Sequence, residues 1–147
     1  MTTNCLFCKI ISGEIHAHKV YEDEKTLAFL DINPTAPGHT LIIPKTHVGH
    51  IEDMTAQDAE ALFETLYKII GVIKDAFNAP ASTIGINNGK ESGQEIPHVH
   101  IHVFPRRSGD NLGIIQKVSG FFKQPKHETL IENTQKIREK IDSLSLV

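Results

Sequence analysis

The stretch His98-Val99-His100-Ile101-His102-Val103-Phe104, in which three histidines alternate with apolar residues, decides the fold. In a β-strand, side chains alternate between the two faces of the sheet, and residues two apart lie roughly 7 Å from each other. We therefore predict a strand over residues 98–104 that is ended by Pro105. Val99, Ile101 and Val103 would face a core, and the histidines would form one wall of a site.

The histidine row is compatible with three interpretations. It can be a chance alternation on a polar sheet face, a metal site of neutral imidazoles, or a nucleophile flanked by positioning histidines. Directly upstream, Asn87-Asn88-Gly89 and Gly93-Gln94 form a polar loop with two glycines. Such loops can turn several backbone N–H groups toward an anion. Periodicity alone does not separate a metal from phosphorus, but the position of this loop favours phosphorus.

Further strands are predicted at four places, where β-branched and apolar residues are bounded by turn residues. They are Val20-Tyr21, Thr26 to Leu30, Thr40 to Ile43, and Thr83 to Ile86.

Two helices are predicted from apolar residues spaced three and four apart. The first is long, with a cap at Thr55 and a break at Asn78-Ala79-Pro80. Its apolar face is Ala59, Leu62, Phe63, Leu66, Ile69, Ile70, Ile73 and Phe77. The second is a C-terminal helix over residues 127–144, with Leu130, Thr134, Ile137, Ile141 and Leu144 on one face.

This order of elements favours a single α+β domain over residues 1–147. It would have a mainly antiparallel sheet of about five strands, one long helix and the C-terminal helix. A doubly wound parallel sheet would carry G-x-G-x-x-G after its first strand, and the sequence has no such motif.

Composition excludes several classes of partner. The net charge of −3 argues against a surface that coats nucleic acid, which needs clustered Lys and Arg. No apolar run is long enough to span a membrane, and residues 1–5 lack the basic and apolar stretches of a signal peptide. We therefore expect a cytoplasmic protein with no nucleic-acid or membrane partner.

The two cysteines lie in one Cys5-x-x-Cys8 motif. In a reducing compartment this spacing indicates a metal site or a redox pair rather than a structural disulfide. Two thiolates supply half of a tetrahedral zinc site, which two histidines can complete. A redox role is less favoured because no thioredoxin-like strand precedes the motif. The remaining interpretation is a pair of small buried residues on a short helix.

Residues 98–104 match the signature of the histidine triad (HIT) family of nucleotide-binding proteins at every position, and the sequence resembles that family well beyond the motif. The resemblance is closest to the small bacterial-type branch with an N-terminal Cys-x-x-Cys, and it covers residues 5–106. The other matching blocks are Cys5–Ile11, Val20–Asp23, Ala28–Ile32, Pro37–Lys45, Gly93-Gln94 and Pro105-Arg106.

The resemblance implies a homodimer whose subunits each have an antiparallel sheet with one long helix against it. It also implies that the protein binds purine nucleotides and breaks a bond at the α-phosphate, releasing a nucleoside monophosphate. Position by position, His100 would be the nucleophile, His102 would lie beside the phosphate, and His39 would orient His102.

The resemblance also assigns the nucleotide-binding positions. Asp31 and Ile32 match residues that hold the ribose and flank the base, and Asn87 matches a side chain at the phosphate or leaving group. Gly93-Gln94 opens the segment that wraps the phosphate. Glu95 departs from the family, which often has Ser or Thr at this position. A carboxylate would repel the phosphate unless it turned away or was protonated. At most, the backbone N–H of Glu95 would then contact the phosphate.

Family members with the same Cys-x-x-Cys place a structural zinc there. The resemblance implies Cys5, Cys8, His47 and His98 as its ligands, with His50 as an alternative to His47. The three histidines of the row would then divide into one structural ligand, one nucleophile and one electrostatic partner.

We expect a hydrolase of nucleoside phosphoramidates or related AMP conjugates that acts through a nucleotidyl-His100 intermediate. The alternatives are a dinucleoside polyphosphate hydrolase or nucleotidyl transferase, a non-catalytic nucleotide-binding module, and a metallohydrolase using all three row histidines. No organic cofactor or catalytic metal is expected, although magnesium can accompany a polyphosphate substrate.

Overall fold

A computed structural model describes residues 4–115 and 126–144. The helices and strands are α1 (Leu6–Ile11), β1 (Lys19–Glu22), β2 (Thr26–Leu30), β3 (Thr40–Pro44), α2 (Ala56–Ala76), β4 (Ala81–Gly85), β5 (Ile101–Arg106) and α3 (His127–Ser143). Short 3-10 turns lie at Ile51–Asp53 and Lys90–Ser92.

The sheet has five strands in the order β1-β2-β3-β5-β4, and every neighbouring pair is antiparallel. β5, which carries His102, therefore lies between β3 and β4 rather than at an edge. The predicted α+β class with a mainly antiparallel sheet is confirmed.

Helix α2 covers one face of the sheet. It begins at the predicted cap, where the Thr55 hydroxyl accepts a hydrogen bond from the Asp58 N–H at 3.1 Å. Leu62, Ile69 and Ile73 of α2 pack against the side chains of Val99, Ile101 and Val103, as the alternation predicts. Burial of each such aliphatic side chain contributes about 1.5–3 kcal/mol to stability.

Phe63 corrects the predicted apolar face of α2, because its side chain is 48% exposed while Leu62 is fully buried. Successive helical residues are about 100° apart around the axis, so Phe63 lies at the margin of a face centred on Leu62.

The N-terminal segment covers the opposite face of the sheet. Phe7, Cys8 and Ile10 of α1 are buried with Phe29 of β2 and Leu41 of β3. The histidine row lies on this covered face, so His98 and His100 are 0% and 5% exposed. The row is therefore not an alternation on a solvated sheet face.

The predicted strand over residues 98–104 is wrong at its start, because β5 begins at Ile101, which pairs with Ile42 of β3. β3 ends at Pro44, which has no N–H to continue the ladder. The Val99 N–H instead donates to the Val48 carbonyl at 2.8 Å.

The predicted end of that strand is also wrong, because Pro105 remains inside β5 opposite Ser82 of β4. The pairing of β3 with β5 goes no further than Val103. One side of β5 is thus without a ladder at Pro105, and proline is tolerated at such positions.

Contacts divide the chain into two units, Met1–Asn111 and Leu112–Val147. The second contains α3, which confirms the C-terminal helix, and Leu130, Ile137 and Ile141 of its predicted apolar face are exposed. The single domain over residues 1–147 stays a prediction. No helix within the described residues has the length and apolar character needed to cross a membrane.

Candidate functional site

A cavity of about 620 Å³ opens between the N-terminal segment and the histidine face of the sheet. This volume falls in the range that encloses a small organic ligand. Its apolar lining includes Phe7, Ile15, Phe29, Ile32 and Leu41, and its polar lining includes Asp31, His39, Asn87, Glu95, His100 and His102. The cavity thus brings together most of the residues that the resemblance assigns to nucleotide binding.

His100 presents one unprotonated ring nitrogen when its ring is neutral. Its Nδ1 lies 2.7 Å from the carbonyl oxygen of His98. A carbonyl oxygen can only accept, so Nδ1 carries the proton and Nε2 keeps its lone pair. Phe7 contacts the His100 ring edge-on, with 5.2 Å between ring centroids. The ring is therefore buried and held in one orientation, and its Nε2 carries the lone pair when the ring is neutral.

His39 and His102 form a hydrogen-bonded pair whose proton positions follow from the backbone. The Thr35 N–H donates to His39 Nδ1 at 3.2 Å, so the proton of neutral His39 lies on Nε2. His39 Nε2 then donates to His102 Nδ1 at 2.9 Å. Neutral His102 consequently carries its own proton on Nε2.

Burial keeps this pair uncharged near neutral pH. It lowers the pKa of His102 to about 4, and His100 and His39 would lower that pKa further when their rings are protonated. Burial also lowers the pKa of His39, against the opposing effect of the Asp31 carboxylate. Asp31 Oδ2 is 3.6 Å from His39 Nδ1, and Asp31 Oδ1 accepts from the Asn33 N–H at 2.8 Å.

Phe104 is a site residue that sequence reasoning missed. Its ring is stacked on His102, with an interplanar angle of 5°, and its centroid lies 4.3 Å from that of His39. Continuing the alternation of residues 98, 100 and 102 by one step could have found it. Phe104 holds the His39–His102 pair in its orientation.

The loop after β4 contributes Asn87, Gly93 and Glu95 to the cavity. Gly93 has φ +93°, a conformation that favours glycine, and Asn87 Nδ2 donates to its carbonyl at 3.5 Å. The side chain of Gln94 does not line the cavity. Its Oε1 accepts from the Gly89 N–H at 2.7 Å. Its Nε2 donates to the Gly49 carbonyl at 2.9 Å.

Cys5, Cys8, His47 and His98 form a second cluster, whose ligand atoms all lie within 4.8 Å of one another. His98 Nδ1 is 3.5 Å from Cys5 Sγ and 3.3 Å from His47 Nδ1. Cys8 Sγ is 3.3 Å from His47 Nδ1 and 3.8 Å from His98 Nδ1. A tetrahedron with normal zinc–sulfur and zinc–nitrogen bonds has edges of about 3.3–3.8 Å. The four residues therefore fit a zinc ion.

Two further features prepare His98 as a metal ligand. Its Nε2 donates to the Pro44 carbonyl at 2.8 Å, which leaves the Nδ1 lone pair facing the cluster. Burial lowers the pKa of His98 to about 4, so the ring is neutral, as ligation requires. His50, the alternative ligand, is outside the cluster, and its Nδ1 lies 3.5 Å from Asp53 Oδ2.

The three row histidines do not converge on one point. Within the described residues, the groups able to hold a metal are the cysteine–histidine cluster and the trio Asp31, His39 and His102. His98 belongs to the first, and His102 to the second. This arrangement disfavours a metallohydrolase that uses the whole row as metal ligands.

A family model described as the HIT domain matches residues 12–109. Protein hit of Bacillus subtilis is 45% identical over 115 residues, covering 78% of this chain and 79% of the relative. The adenylylsulfatase HINT3 of Arabidopsis thaliana is 39% identical over 112 residues, covering 76% of this chain and 57% of the relative. An asymmetrical bis(5'-nucleosyl)-tetraphosphatase of Schizosaccharomyces pombe is 40% identical over 90 residues, covering 61% of this chain and 50% of the relative.

Solved structures agree with these sequence matches. A HIT family member from Bacillus subtilis has a TM-score of 0.82 at 38% identity, covering 92% of this chain and 96% of that one. A zinc-bound histidine triad protein from Mycobacterium smegmatis has a TM-score of 0.72 at 34% identity, covering 98% and 99%. By its sequence, its fold and its histidine row, the chain belongs to the HIT family.

Proposed function

We propose that the protein is a nucleotide hydrolase that acts at the α-phosphate of purine nucleoside phosphoramidates or related AMP conjugates. The reaction passes through a nucleotidyl-His100 intermediate and releases AMP. The observation that carries this proposal is the 2.7 Å hydrogen bond from His100 Nδ1 to the His98 carbonyl, which leaves Nε2 as the nucleophilic atom of a cavity-lining ring.

The chemistry proceeds in two displacements at phosphorus. In the first, the His100 Nε2 lone pair forms a bond to phosphorus, and the bond from phosphorus to the leaving nitrogen breaks. The leaving nitrogen keeps that electron pair and takes up a proton from solvent. In the second, water attacks phosphorus and loses a proton to solvent, the bond to His100 Nε2 breaks with its electron pair staying on nitrogen, and AMP departs from a regenerated neutral ring.

In this proposal, His102 assists both displacements. With its proton on Nε2, neutral His102 can donate a hydrogen bond to a phosphoryl oxygen or to the leaving nitrogen, without giving up the proton. His39 fixes this tautomer of His102 because its Nε2–H donates to His102 Nδ1. The tautomer of His39 is itself fixed by the Thr35 N–H, which donates to His39 Nδ1. His39 is therefore a positioning residue in this proposal.

Substrate binding uses the remaining cavity residues. We assign Asp31 to the ribose hydroxyls and Ile32, beside the apolar lining, to a flank of the base. Asn87 and the backbone of Gly93 and Glu95 would contact the phosphate. Gln94 would contribute its backbone, since its side chain is engaged with Gly89 and Gly49.

The second candidate is cleavage of dinucleoside polyphosphates or nucleotidyl transfer. The similarity to a tetraphosphatase favours it, and the same His100 intermediate serves both reactions, since only the leaving group or final acceptor differs. A non-catalytic nucleotide-binding module is less well supported, because the histidine row, its hydrogen bonds and the cavity are all present.

A structural zinc held by Cys5, Cys8, His47 and His98 is part of the proposal. When bound, it supplies a cross-link between distant parts of the chain and takes no part in the displacements. His98 belongs to the segment that leads to His100, so its ligation would also anchor the nucleophile.

We also propose a homodimer, as the resemblance implies. Within the described residues, β4 is an edge strand of the sheet, paired only with β5, and Phe63 and Tyr67 of α2 are 48% and 83% exposed. An exposed edge and apolar side chains of this kind favour association with a second copy. Sedimentation velocity of the purified protein tests it, with a monomer at micromolar concentration as the contrary result.

The test of the reaction is to trap the intermediate. The protein is incubated with adenosine 5'-phosphoramidate, quenched in mild base and digested, and the peptide that contains residues 98–102 is examined for added AMP by mass spectrometry. We expect the adduct and released AMP from wild type and neither from His100→Ala. Absence of both from wild type would reject the two enzymatic candidates and favour the binding module.

A further inference from the structure

Glu95 is a cavity residue whose side chain has no partner within the described residues. It lies on the segment that leads from Gly93 to His98, is exposed, and is one of the residues that line the cavity. No hydrogen bond or ion pair engages it in residues 4–115 and 126–144. The neighbouring Gln94 side chain, by contrast, is held by two hydrogen bonds. The Glu95 carboxylate is therefore available to whatever occupies the cavity.

The charges around the cavity are unbalanced. Its described lining contains two carboxylates (Asp31 and Glu95), four histidines (His16, His39, His100 and His102) and no Lys or Arg. His39 and His102 do not compensate at neutral pH, because burial lowers the pKa of both. Asp31 accepts a hydrogen bond from the Asn33 N–H at 2.8 Å, whereas no group in the described part of the chain donates to the Glu95 carboxylate. A substrate with many negative charges would meet these two carboxylates and, within the described lining, no Lys or Arg.

The location of Glu95 identifies the part of the substrate that it faces. In the proposed reaction, phosphorus lies at His100 Nε2 and the ribose at Asp31. Glu95 lines the cavity together with Asn87 and Gly93, which the proposed function assigns to the phosphate with the Glu95 backbone. The leaving group is bonded to that phosphate, so it is the part of the substrate that would lie beside the Glu95 side chain.

We infer that Glu95 selects the leaving group by its charge. The preferred substrates are nucleoside phosphoramidates whose amine carries a second, positively charged ammonium group, while acidic conjugates and polyphosphates are disfavoured. This inference rests on the proposed function and specifies its substrate class. Glu95 exchanges no proton in either displacement and acts only through the field of its carboxylate.

Three matched substrates test the inference. They are adenosine 5'-phosphoramidates of ethylenediamine, propylamine and β-alanine, whose leaving amines have similar length and end in a cation, a methyl group and an anion. The value of kcat/KM is measured for each with wild type, Glu95→Gln and Glu91→Gln. Intrinsic differences in leaving-group reactivity cancel when the cation-to-anion ratio of a variant is divided by that of wild type.

Glu91 provides the control, because it is exposed on the same loop and does not line the cavity. We expect Glu95→Gln to lower the cation-to-anion ratio about tenfold, since attraction and repulsion by a partly solvated carboxylate each change kcat/KM about threefold. Glu91→Gln should leave the ratio within about twofold of wild type. In wild type, 0.5 M salt should reduce the ratio as well.

The possible results separate the two proposals. Turnover of the propylamine substrate with the same ratio in wild type and Glu95→Gln overturns the role of Glu95 and leaves the proposed function standing. An equal drop in the cation-to-anion ratio with Glu91→Gln also overturns the role of Glu95, because any nearby surface charge would then have the same effect on the ratio. No turnover of any of the three substrates by wild type overturns the proposed function and this inference together.

Discussion

At the scale of single residues, the site depends on which ring nitrogen of each histidine carries the proton. Backbone groups decide this: the His98 carbonyl for His100, and the Thr35 N–H for His39. A histidine pattern in a sequence contains no information about tautomers. In the folded chain, a carbonyl oxygen 2.7 Å from Nδ1 of His100 requires the proton of the neutral ring to be on Nδ1.

His39→Ala should lower kcat for adenosine 5'-phosphoramidate by about tenfold to a hundredfold, because His102 would lose the donor that fixes its tautomer. KM should change little, since His39 is proposed to act through His102. His39→Gln, whose amide can still donate to His102 Nδ1, should recover part of the rate. Steady-state kinetics of the three proteins give the answer, and equal rates for the alanine and glutamine variants would contradict it.

The lowered pKa of His102 predicts that acid destabilises the fold. A pKa of about 4 in the folded protein, against about 6.5 when unfolded, means that the unfolded chain binds the additional proton first. The contribution of neutral His102 to the free energy of unfolding is therefore fully present above about pH 6.5 and is lost as pH falls toward 4. Between pH 7 and pH 5 this loss is about 1–2 kcal/mol after allowance for partial exposure.

The measurement is urea unfolding at pH 7 and pH 5, with saturating zinc, for wild type and His102→Asn. Between pH 7 and pH 5, the free energy of unfolding of wild type should fall by about 1–2 kcal/mol more than that of the variant. Parallel losses in the two proteins would show that His102 is not the titrating group.

At the scale of elements, the loop between β4 and β5 is held to the segment after β3 by the side chain of Gln94. Its two hydrogen bonds join Gly89 of the loop to Gly49, two residues beyond the proposed zinc ligand His47. Resemblance placed Gln94 among the nucleotide-binding residues, but the partners of its side chain are distant in sequence and appear only in the folded chain.

Gln94→Ala should loosen this loop without removing a cavity-lining side chain. Loss of the two hydrogen bonds should destabilise the loop by about 1–3 kcal/mol, which raises KM and speeds amide hydrogen exchange at Gly89. Ser92→Ala is the matched control, since the Ser92 hydroxyl is exposed and also bonds to Gly89, at the carbonyl. Exchange at Gly89 that is equally fast in both variants would contradict a bracing role specific to Gln94.

At the scale of the whole molecule, the proposed zinc would join parts of the chain that are far apart in sequence. Cys5 and His98 are 93 positions apart, and Cys8 and His47 are 39 apart. A ligand that binds only the folded chain stabilises it by about 2.7 kcal/mol at a hundred times its Kd.

Wild type purified without chelator should therefore contain zinc and should lose thermal stability when the metal is removed by chelation. Cys8→Ala should contain less metal, unfold at a lower temperature, and show little further loss with chelator. Elemental analysis and calorimetry test both statements. Metal-free wild type, or an unchanged Tm for Cys8→Ala, would reject the zinc site.

Local pattern determined much of this protein by itself. Alternation predicted that Val99, Ile101 and Val103 face the core, and spacing with the Thr55 cap predicted α2, because the period of a regular element depends only on neighbouring residues. The histidine row and Cys5-x-x-Cys8 likewise identified the side chains that carry the chemistry.

The tertiary structure decided what depends on distant partners. Pro44, at the end of β3, stops the ladder before His98, so β5 begins at Ile101. The N-terminal segment covers and buries most of the histidine row, and folding places Glu95 among the residues that line the cavity. Periodicity records which face a side chain occupies, whereas burial, tautomer and electrostatic partner depend on groups that meet only when the chain folds.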